Sequence, residues 1–167
     1  MIRASILDSK LYEEVENDSN LTSQALQVVL AVSVLSGIGS AVAQLSFGRF
    51  ISGVVGAIAA WLLWSLVSYL IGTYFFGGKA TFGQLLRTLG YAQSPAALKI
   101  LLAFGVIPFF GGFIYIPVKV LVSIWLLATF VVAIRQALDV TTIAAVLTAL
   151  VSWPLVLLVS FMLVDLL

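Results

Sequence analysis

The chain has 167 residues, of which 62% are hydrophobic and only 9% are charged, against about 25% charged in an average soluble domain. Together with a mean hydropathy of +1.20, this composition excludes a water-soluble fold and indicates an all-helical membrane protein. Cysteine and histidine are both absent, which removes disulfides, zinc–thiolate sites and the commonest metal ligand and general base. We therefore expect no metal, no cofactor and no enzyme activity.

Charge is concentrated at the start of the chain. The first 18 residues hold seven of the fifteen charged side chains and sum to −3, whereas the remainder sums to +4. No basic run occurs, so no nucleic-acid partner is expected. The bilayer is the expected partner of the rest of the chain.

An amphipathic helix is predicted over residues 5–16. Leu7, Leu11 and Val15 recur at i, i+4 and i+8, with acidic residues mostly elsewhere around the helix. Residues 17–20 break this helix, and Thr22 and Ser23 are candidate N-caps for the next one. We assign residues 1–24 to a cytoplasmic N-terminal segment and 25–167 to one transmembrane domain.

Stretches without charge, combined with turn residues, predict five spans, because each crossing needs about 20 apolar residues. They are residues 25–44, 50–76, 95–109, 117–137 and 142–164. The third is short, and glycines and prolines crowd residues 105–117. If residues 95–116 entered and returned on one side, the number of crossings would be even.

Between the second and third spans, the sequence predicts a short interfacial helix over residues 82–89. Gly77-Gly78 ends the preceding span, Thr81 can cap the new helix, and apolar residues recur with helical spacing. Lys79 and Arg87 are expected to point toward lipid headgroups. The alternative is a loop that folds over the bundle.

Lysine and arginine positions favour a cytoplasmic N-terminus and an external C-terminus. Six basic residues would then lie inside and two outside. The inner set is Arg3, Lys10, Lys79, Arg87, Lys99 and Arg135, and the outer set is Arg49 and Lys119.

Side chains that could carry chemistry are scarce in the spans. Lys99 and Lys119 lie near span ends, where we expect them to extend to the interface, and Arg135 with Asp139 is expected to form a helix-end ion pair. Polar residues that could line a pathway are Ser65, Ser68, Tyr69, Ser123, Thr129, Ser152 and the Trp153-Pro154 kink. Hydrogen bonding between helices is the preferred interpretation of these hydroxyls.

Small residues at i, i+4 spacing predict that the first two spans pack tightly as a hairpin. Homo-oligomerisation is the alternative use of the same residues. They are Ser33, Gly37 and Ala41 on the first span, and Gly53, Gly56, Ala57 and Ala60 on the second.

The order of several short motifs resembles the Yip-one family of Ypt-interacting proteins. Leu89-Gly90-Tyr91-Ala92 followed by Pro95 is similar to the family's GY element and its proline. The other segments that carry the resemblance are Leu11-Tyr12-Glu13-Glu14-Val15-Glu16, residues 22–29, residues 72–78 and residues 81–87.

The resemblance implies five spans and a cytosolic N-terminus. Eukaryotic members of that family carry a long cytosolic arm with a DLYGP-like element and bind prenylated Rab GTPases. Only about 24 residues precede the first span here, without that element, so Rab binding is not expected. The chain is similar to the compact prokaryotic branch, which implies a plasma-membrane location.

Two functions are compatible with these features. The preferred one is a membrane scaffold or adaptor whose charged regions meet a protein partner or lipid, or which self-associates. The alternative is a small permease or channel that uses the Gly/Pro-rich residues 105–117 and the Trp153-Pro154 kink. The candidate contact residues are Asp8, Glu13, Glu14, Glu16, Lys79 and Arg87.

Overall fold

A computed structural model describes residues 2–44, 47–98 and 111–164, and within these ranges the chain forms seven α-helices. No strand occurs in those ranges, which confirms the all-helical prediction. The helices are α1 (Ile2–Ser5), α2 (Ser9–Asn17), α3 (Leu21–Gln44), α4 (Phe47–Phe76), α5 (Phe82–Ala92), α6 (Gly111–Leu138) and α7 (Thr142–Val164).

Four long helices form the bundle. α3 packs on α4, α4 on α7, and α6 on α7. The Lys79 amide, just after α4, donates to the Leu138 carbonyl at the last residue of α6, across 3.1 Å. α4 and α6 therefore end side by side, at the same end of the bundle where α3 and α7 begin. We call this the α5 end, because α5 packs there against α3, α4 and α6.

Within the ranges that the structure describes, two stretches are long and apolar enough to cross a bilayer, Val54–Phe76 in α4 and Ile116–Leu138 in α6. The apolar stretches of α3 and α7 are shorter over the residues searched, Leu21–Leu35 and Thr142–Val156. The structure thus supports a membrane protein.

α4 ends where the glycine pair predicts. Gly77 adopts φ +68°, a left-handed conformation that glycine tolerates without steric cost. The amide of Gly78 then donates a hydrogen bond to the Gly72 carbonyl at 3.0 Å. Both Gly72 and Gly78 lie against Leu138, where a Cβ at either position would overlap the Leu138 side chain.

α5 begins at the predicted cap and ends later than predicted. The Thr81 hydroxyl accepts from the Gln84 amide and the Gln84 side chain accepts from the Thr81 amide, a capping box that satisfies two amides at the helix start. The helix continues through Gly90 to Ala92, because Gly90 faces another helix rather than a turn. A short 3₁₀ turn follows over residues 94–98.

α6 corrects the predicted boundary of the fourth span. The helix begins at Gly111 and includes Pro117, so residues 111–116 are helical rather than part of a turn. Residues 105–110 and the predicted span over 95–109 from residue 99 onward lie outside the described residues.

The single helix predicted over residues 5–16 is divided in two. Leu7 has φ +62°, and Asp8 follows as the N-cap of α2, accepting from the amides of Lys10 and Leu11. An N-cap carboxylate satisfies amides that have no partner within the helix. That preference outweighs continuation of the apolar pattern through Leu7.

The predicted N-caps of the first span were wrong. α3 begins at Leu21, and Thr22 and Ser23 lie within its first turn. There they donate their hydroxyls to the carbonyls of Ser19 and Asn20.

Candidate partner-binding site

Arg87 of α5 holds the C-terminal end of α2. Its Nε donates to the Val15 carbonyl at 3.0 Å and its Nη2 to the Glu16 carbonyl at 2.5 Å. The last carbonyls of a helix have no partner within it and carry partial negative charge, so the guanidinium fork satisfies two of them. Arg87 is only 9% exposed. The prediction that it points toward lipid headgroups was wrong.

Two glutamines connect α2 to the bundle at its sides. Gln84 of α5 donates to the Glu16 carboxylate at 3.1 Å, and Gln136 of α6 donates to the Glu13 carboxylate at 2.8 Å. Below these polar contacts, Tyr12 and Val15 are fully buried. α2 is therefore a packed element of the α5 end and not a free arm.

An open cleft of about 340 Å³ lies between α2, the loop after α4 and the end of α6. It is lined by Glu13, Glu16, Lys79, Gln136, Ala137 and Asp139. Three carboxylates against one ammonium group give this cleft a negative potential. Within the described residues, no group of acidic side chains is arranged to hold a metal ion.

The Glu16 carboxyl experiences this negative field directly. Burial raises its pKa above the ordinary value, the carboxylates of Asp139 and Glu13 raise it further, and Arg87 opposes them. The cleft is thus a site where an added positive charge would be favoured over another anion.

Asp8 and Glu14 serve a different purpose, since both pair with Arg3. The guanidinium lies 2.8 Å from Asp8 Oδ2 and 2.9 Å from Glu14 Oε2. Hydrogen bonding to Arg3 lowers the pKa of both carboxyls. These two acids stabilise the arrangement of α1 against α2, away from the cleft.

The six candidate contact residues therefore divide into three groups. Glu13, Glu16 and Lys79 line one cleft; Asp8 and Glu14 bind Arg3; and Arg87 binds the α2 backbone. The sequence analysis missed Gln84 and Gln136. The T-x-x-Q capping pattern that begins at Thr81 draws attention to Gln84, and its position near the end of an apolar helix draws attention to Gln136. The predicted Arg135–Asp139 ion pair was also wrong, because Arg135 donates to Gln136 instead, and Asp139 takes a left-handed turn with φ +54°.

The GY element packs α5 onto α3. A Cβ on Gly90 would lie 3.0 Å from the Ala25 Cβ and 3.3 Å from its carbonyl, so the two helices approach closely there. The Tyr91 hydroxyl donates to Gln24 Oε1 at 3.0 Å, and Pro95 is fully buried. The element therefore positions α5, on which the site depends.

The small residues of the predicted hairpin show mixed placement. α3 and α4 do pack together, and Ser33 is buried, donating to Val29. Gly56, however, faces open space, with nothing within 4 Å of a Cβ placed on it. Ala57 and Ala60 are half-buried. The surroundings of Gly37 and Gly53 and the side chain of Ala41 lie outside what the structure describes.

Hydroxyls in the bundle serve helix packing. Trp64 Nε1 donates to Ser152 Oγ at 3.0 Å, and Ser68 Oγ bonds the same oxygen at 3.3 Å, joining α4 to α7. Ser65 donates to the Trp61 carbonyl, and Thr129 of α6 to the Ala92 carbonyl of α5. Among the described residues, no buried side-chain polar atom is left without a partner. Ser68, Thr129 and Ser152 agree with the preferred interpretation, hydrogen bonding between helices, whereas Ser65 and Ser123 bond within their own helices.

Comparison with known proteins adds one match that covers nearly the whole chain. The model of the Yip1 domain matches residues 9–164, a range that includes α2, the GY element and all four long helices. No curated protein and no solved structure matches the chain. The chain therefore belongs to the Yip1 domain family.

Proposed function

We propose that this protein is a non-enzymatic membrane scaffold whose α5 end presents a fixed, acidic docking platform to a basic segment of a protein partner. The observation that carries this proposal is the docking of α2 by Arg87. Because α2 is held in place, Glu13 and Glu16 share a cleft with Asp139 instead of moving with a flexible tail. A preformed platform binds without first ordering its own groups.

Five crossings are supported by the spacing of α5 and α6. The Ala92 carbonyl accepts from Thr129 of α6, and Thr129 lies 18 residues after Gly111, the first residue of that helix. Those 18 residues correspond to about 27 Å of helix. Because Ala92 is level with Thr129, the positions of Ala92 and Gly111 along the axis of α6 differ by about 27 Å. That difference is nearly the thickness of a hydrocarbon core, about 30 Å.

With that fifth crossing, α3 and α7 leave the N- and C-termini on opposite sides. The excess of basic residues assigns the α5 end and the N-terminus to the cytoplasm, and the C-terminus to the outside. For a compact prokaryotic-type member, the membrane is the plasma membrane.

The partner is expected to be cationic because the cleft is acidic. A lysine or arginine side chain entering it would meet three carboxylates and could displace the nearby Lys79 ammonium group. Such charge complementarity accelerates association and orients the partner. Self-association remains the alternative, and the exposed face of Gly56 is the position that supports it.

A transport path has no comparable support. The serines proposed to line it, Ser65, Ser68 and Ser152, are fully buried and hydrogen-bonded. The open groove beside Ser123 is lined mainly by aromatic and aliphatic side chains. Among the described residues, these features favour a packed bundle over a polar pathway.

Site-specific photocrosslinking in native membranes tests the proposal. A photoreactive residue at position 10, which is exposed on α2, should yield protein adducts that the double variant Glu13→Gln, Asp139→Asn loses. The matched control is Asp18→Asn, which removes an acid outside the cleft. Adducts that persist in the double variant, or that disappear equally in the control, would contradict the proposal.

A further inference from the structure

The first turn of the chain lies against the middle of α6. Trp125 Nε1 donates to the Ser5 carbonyl at 2.6 Å, and Tyr12 of α2 donates to the Ala4 carbonyl at 3.2 Å. Ala4 itself is fully buried. Residues 2–7 are therefore fixed in position from two sides.

The position of Trp125 places this turn near the boundary of the hydrocarbon core. Trp125 belongs to the stretch Ile116–Leu138, which is long and apolar enough to cross a bilayer. It lies four residues, about 6 Å of helix, from Thr129 on the side of Gly111, and is therefore just inside the boundary of the hydrocarbon core at the α5 end. Its neighbours Leu121 and Ile124 are 60% and 63% exposed, as expected of side chains that face lipid.

Large aliphatic side chains of the turn are exposed beside this surface. Ile2 is 82% exposed, Ile6 67% and Leu7 39%. Water would disfavour such a cluster, whereas acyl chains would accept it. Because Trp125 of α6 donates to the Ser5 carbonyl, the cluster adjoins the apolar surface of α6, which favours lipid as the material that covers it.

The one basic side chain of the described turn is compensated. Arg3 hydrogen-bonds Asp8 and Glu14, so its charge is balanced by groups on the polar side of α2. Residues 2–7 thus combine an aliphatic surface with a neutralised polar side, which suits the boundary between headgroups and acyl chains.

We infer that residues 2–7 are a lipid anchor, inserting Ile2, Ile6 and Leu7 among the acyl chains of the leaflet at the α5 end. This deepens the proposed function, since the anchor would fix α2 and hence the platform relative to the membrane surface. The occupant is the bilayer itself, and a second copy of the chain is an outcome that the test separates.

The absence of native cysteine permits a clean labelling experiment. The variant Ile6→Cys, and separately Ile2→Cys, is labelled with an environment-sensitive fluorophore and reconstituted alone into phosphatidylcholine–phosphatidylglycerol vesicles. The fluorescence of the label should be quenched in vesicles whose lipids carry brominated acyl chains, and aqueous iodide should not quench it. The control, Asn17→Cys at the exposed end of α2, should show the reverse pattern.

Two results would overturn the inference. Quenching of the labels at positions 2 and 6 by iodide would place the turn in water. Protection from both quenchers would mean that protein covers it, as in a dimer. Because the vesicles contain no partner, either result can be distinguished from failure of the proposed partner binding.

Discussion

Arg87 Nε lies 3.0 Å from the carbonyl oxygen of Val15, so that a side chain of α5 satisfies the C-terminal end of α2. Seventy-two residues separate the two groups in the sequence. This contact converts an acidic N-terminal segment into part of the bundle and brings Glu13 and Glu16 to the cleft.

Replacing Arg87 by methionine should release α2. The variant loses two charge-assisted hydrogen bonds, each worth about 1.5–3 kcal/mol, and leaves two helix-end carbonyls without their donors. Amide hydrogen exchange over residues 9–17 should accelerate by about a hundredfold, which corresponds to about 3 kcal/mol. Lys10→Met, which removes an exposed cation from the same segment, should leave exchange unchanged. Equal exchange in the two variants would show that Arg87 does not hold α2.

Gly90→Ala should destabilise the bundle by about 1–3 kcal/mol. The added methyl would meet Ala25 at 3.0 Å and Trp61 at 3.3 Å, so α5 and α3 would have to separate. Gly56→Ala is the matched control, because its methyl enters open space and alanine favours helix by up to about 1 kcal/mol. Thermal unfolding in detergent, followed by circular dichroism, measures both. A lower melting temperature for Gly56→Ala than for Gly90→Ala would be inconsistent with the packing described.

Ser152→Ala should cost about 1–3 kcal/mol, because the partly buried indole N–H of Trp64 and the buried hydroxyl of Ser68 lose their acceptor. Ser123→Ala provides the control, since the exposed Ser123 hydroxyl bonds only within its own helix. The change should also shift Trp64 fluorescence. If both variants unfolded at the same temperature as the wild type, the hydroxyl contacts between α4 and α7 would not contribute to stability.

The raised pKa of the Glu16 carboxyl leads us to expect that the stability of the protein depends on pH. This carboxyl has a pKa raised above the ordinary 4.5, first by burial and then by Asp139 and Glu13, with Arg87 opposing. The folded protein therefore keeps this proton to a higher pH than the unfolded chain, so the stability contributed by Glu16 falls as the pH rises from about 4.5 through the raised pKa. Glu16→Gln keeps an acceptor for Gln84 and removes the charge.

The corresponding measurement is the stability difference between Glu16→Gln and the wild type across that pH range. The free energy of unfolding of Glu16→Gln, relative to that of the wild type, should increase with pH and then reach a plateau. Two parallel stability curves would mean that the acidic cleft does not penalise the Glu16 charge.

The sequence predicted the elements of this fold more readily than their contacts. The end of α4 at Phe76 and the Thr81 cap follow from local chemistry, since glycine permits a left-handed turn and threonine accepts amide hydrogens. These signals act over a few residues. The division of the N-terminal helix was also local, but the apolar spacing of Leu7 and Leu11 concealed the capping role of Asp8.

The role of Arg87 could not be predicted in the same way. Nothing near it in sequence indicates that its partners are carbonyls 71 and 72 residues earlier, and an arginine beside an apolar stripe is typical of a membrane interface. The left-handed turn at Asp139 likewise removed the ion pair that its spacing from Arg135 suggested. The sequence therefore predicted the helices at the site but not the long-range contacts between their side chains.

The most direct test of the docked platform is a crosslink between α2 and α6 in native membranes. Glu13 and Gln136 are hydrogen-bonded at 2.8 Å, and a Glu13→Cys, Gln136→Cys pair can be joined by a short bifunctional maleimide because no other cysteine is present. A fast intramolecular crosslink, absent from both single-cysteine proteins, is the predicted result. A pair that fails to react while each cysteine alone labels freely would show that α2 is not docked on the bundle, and would contradict the account.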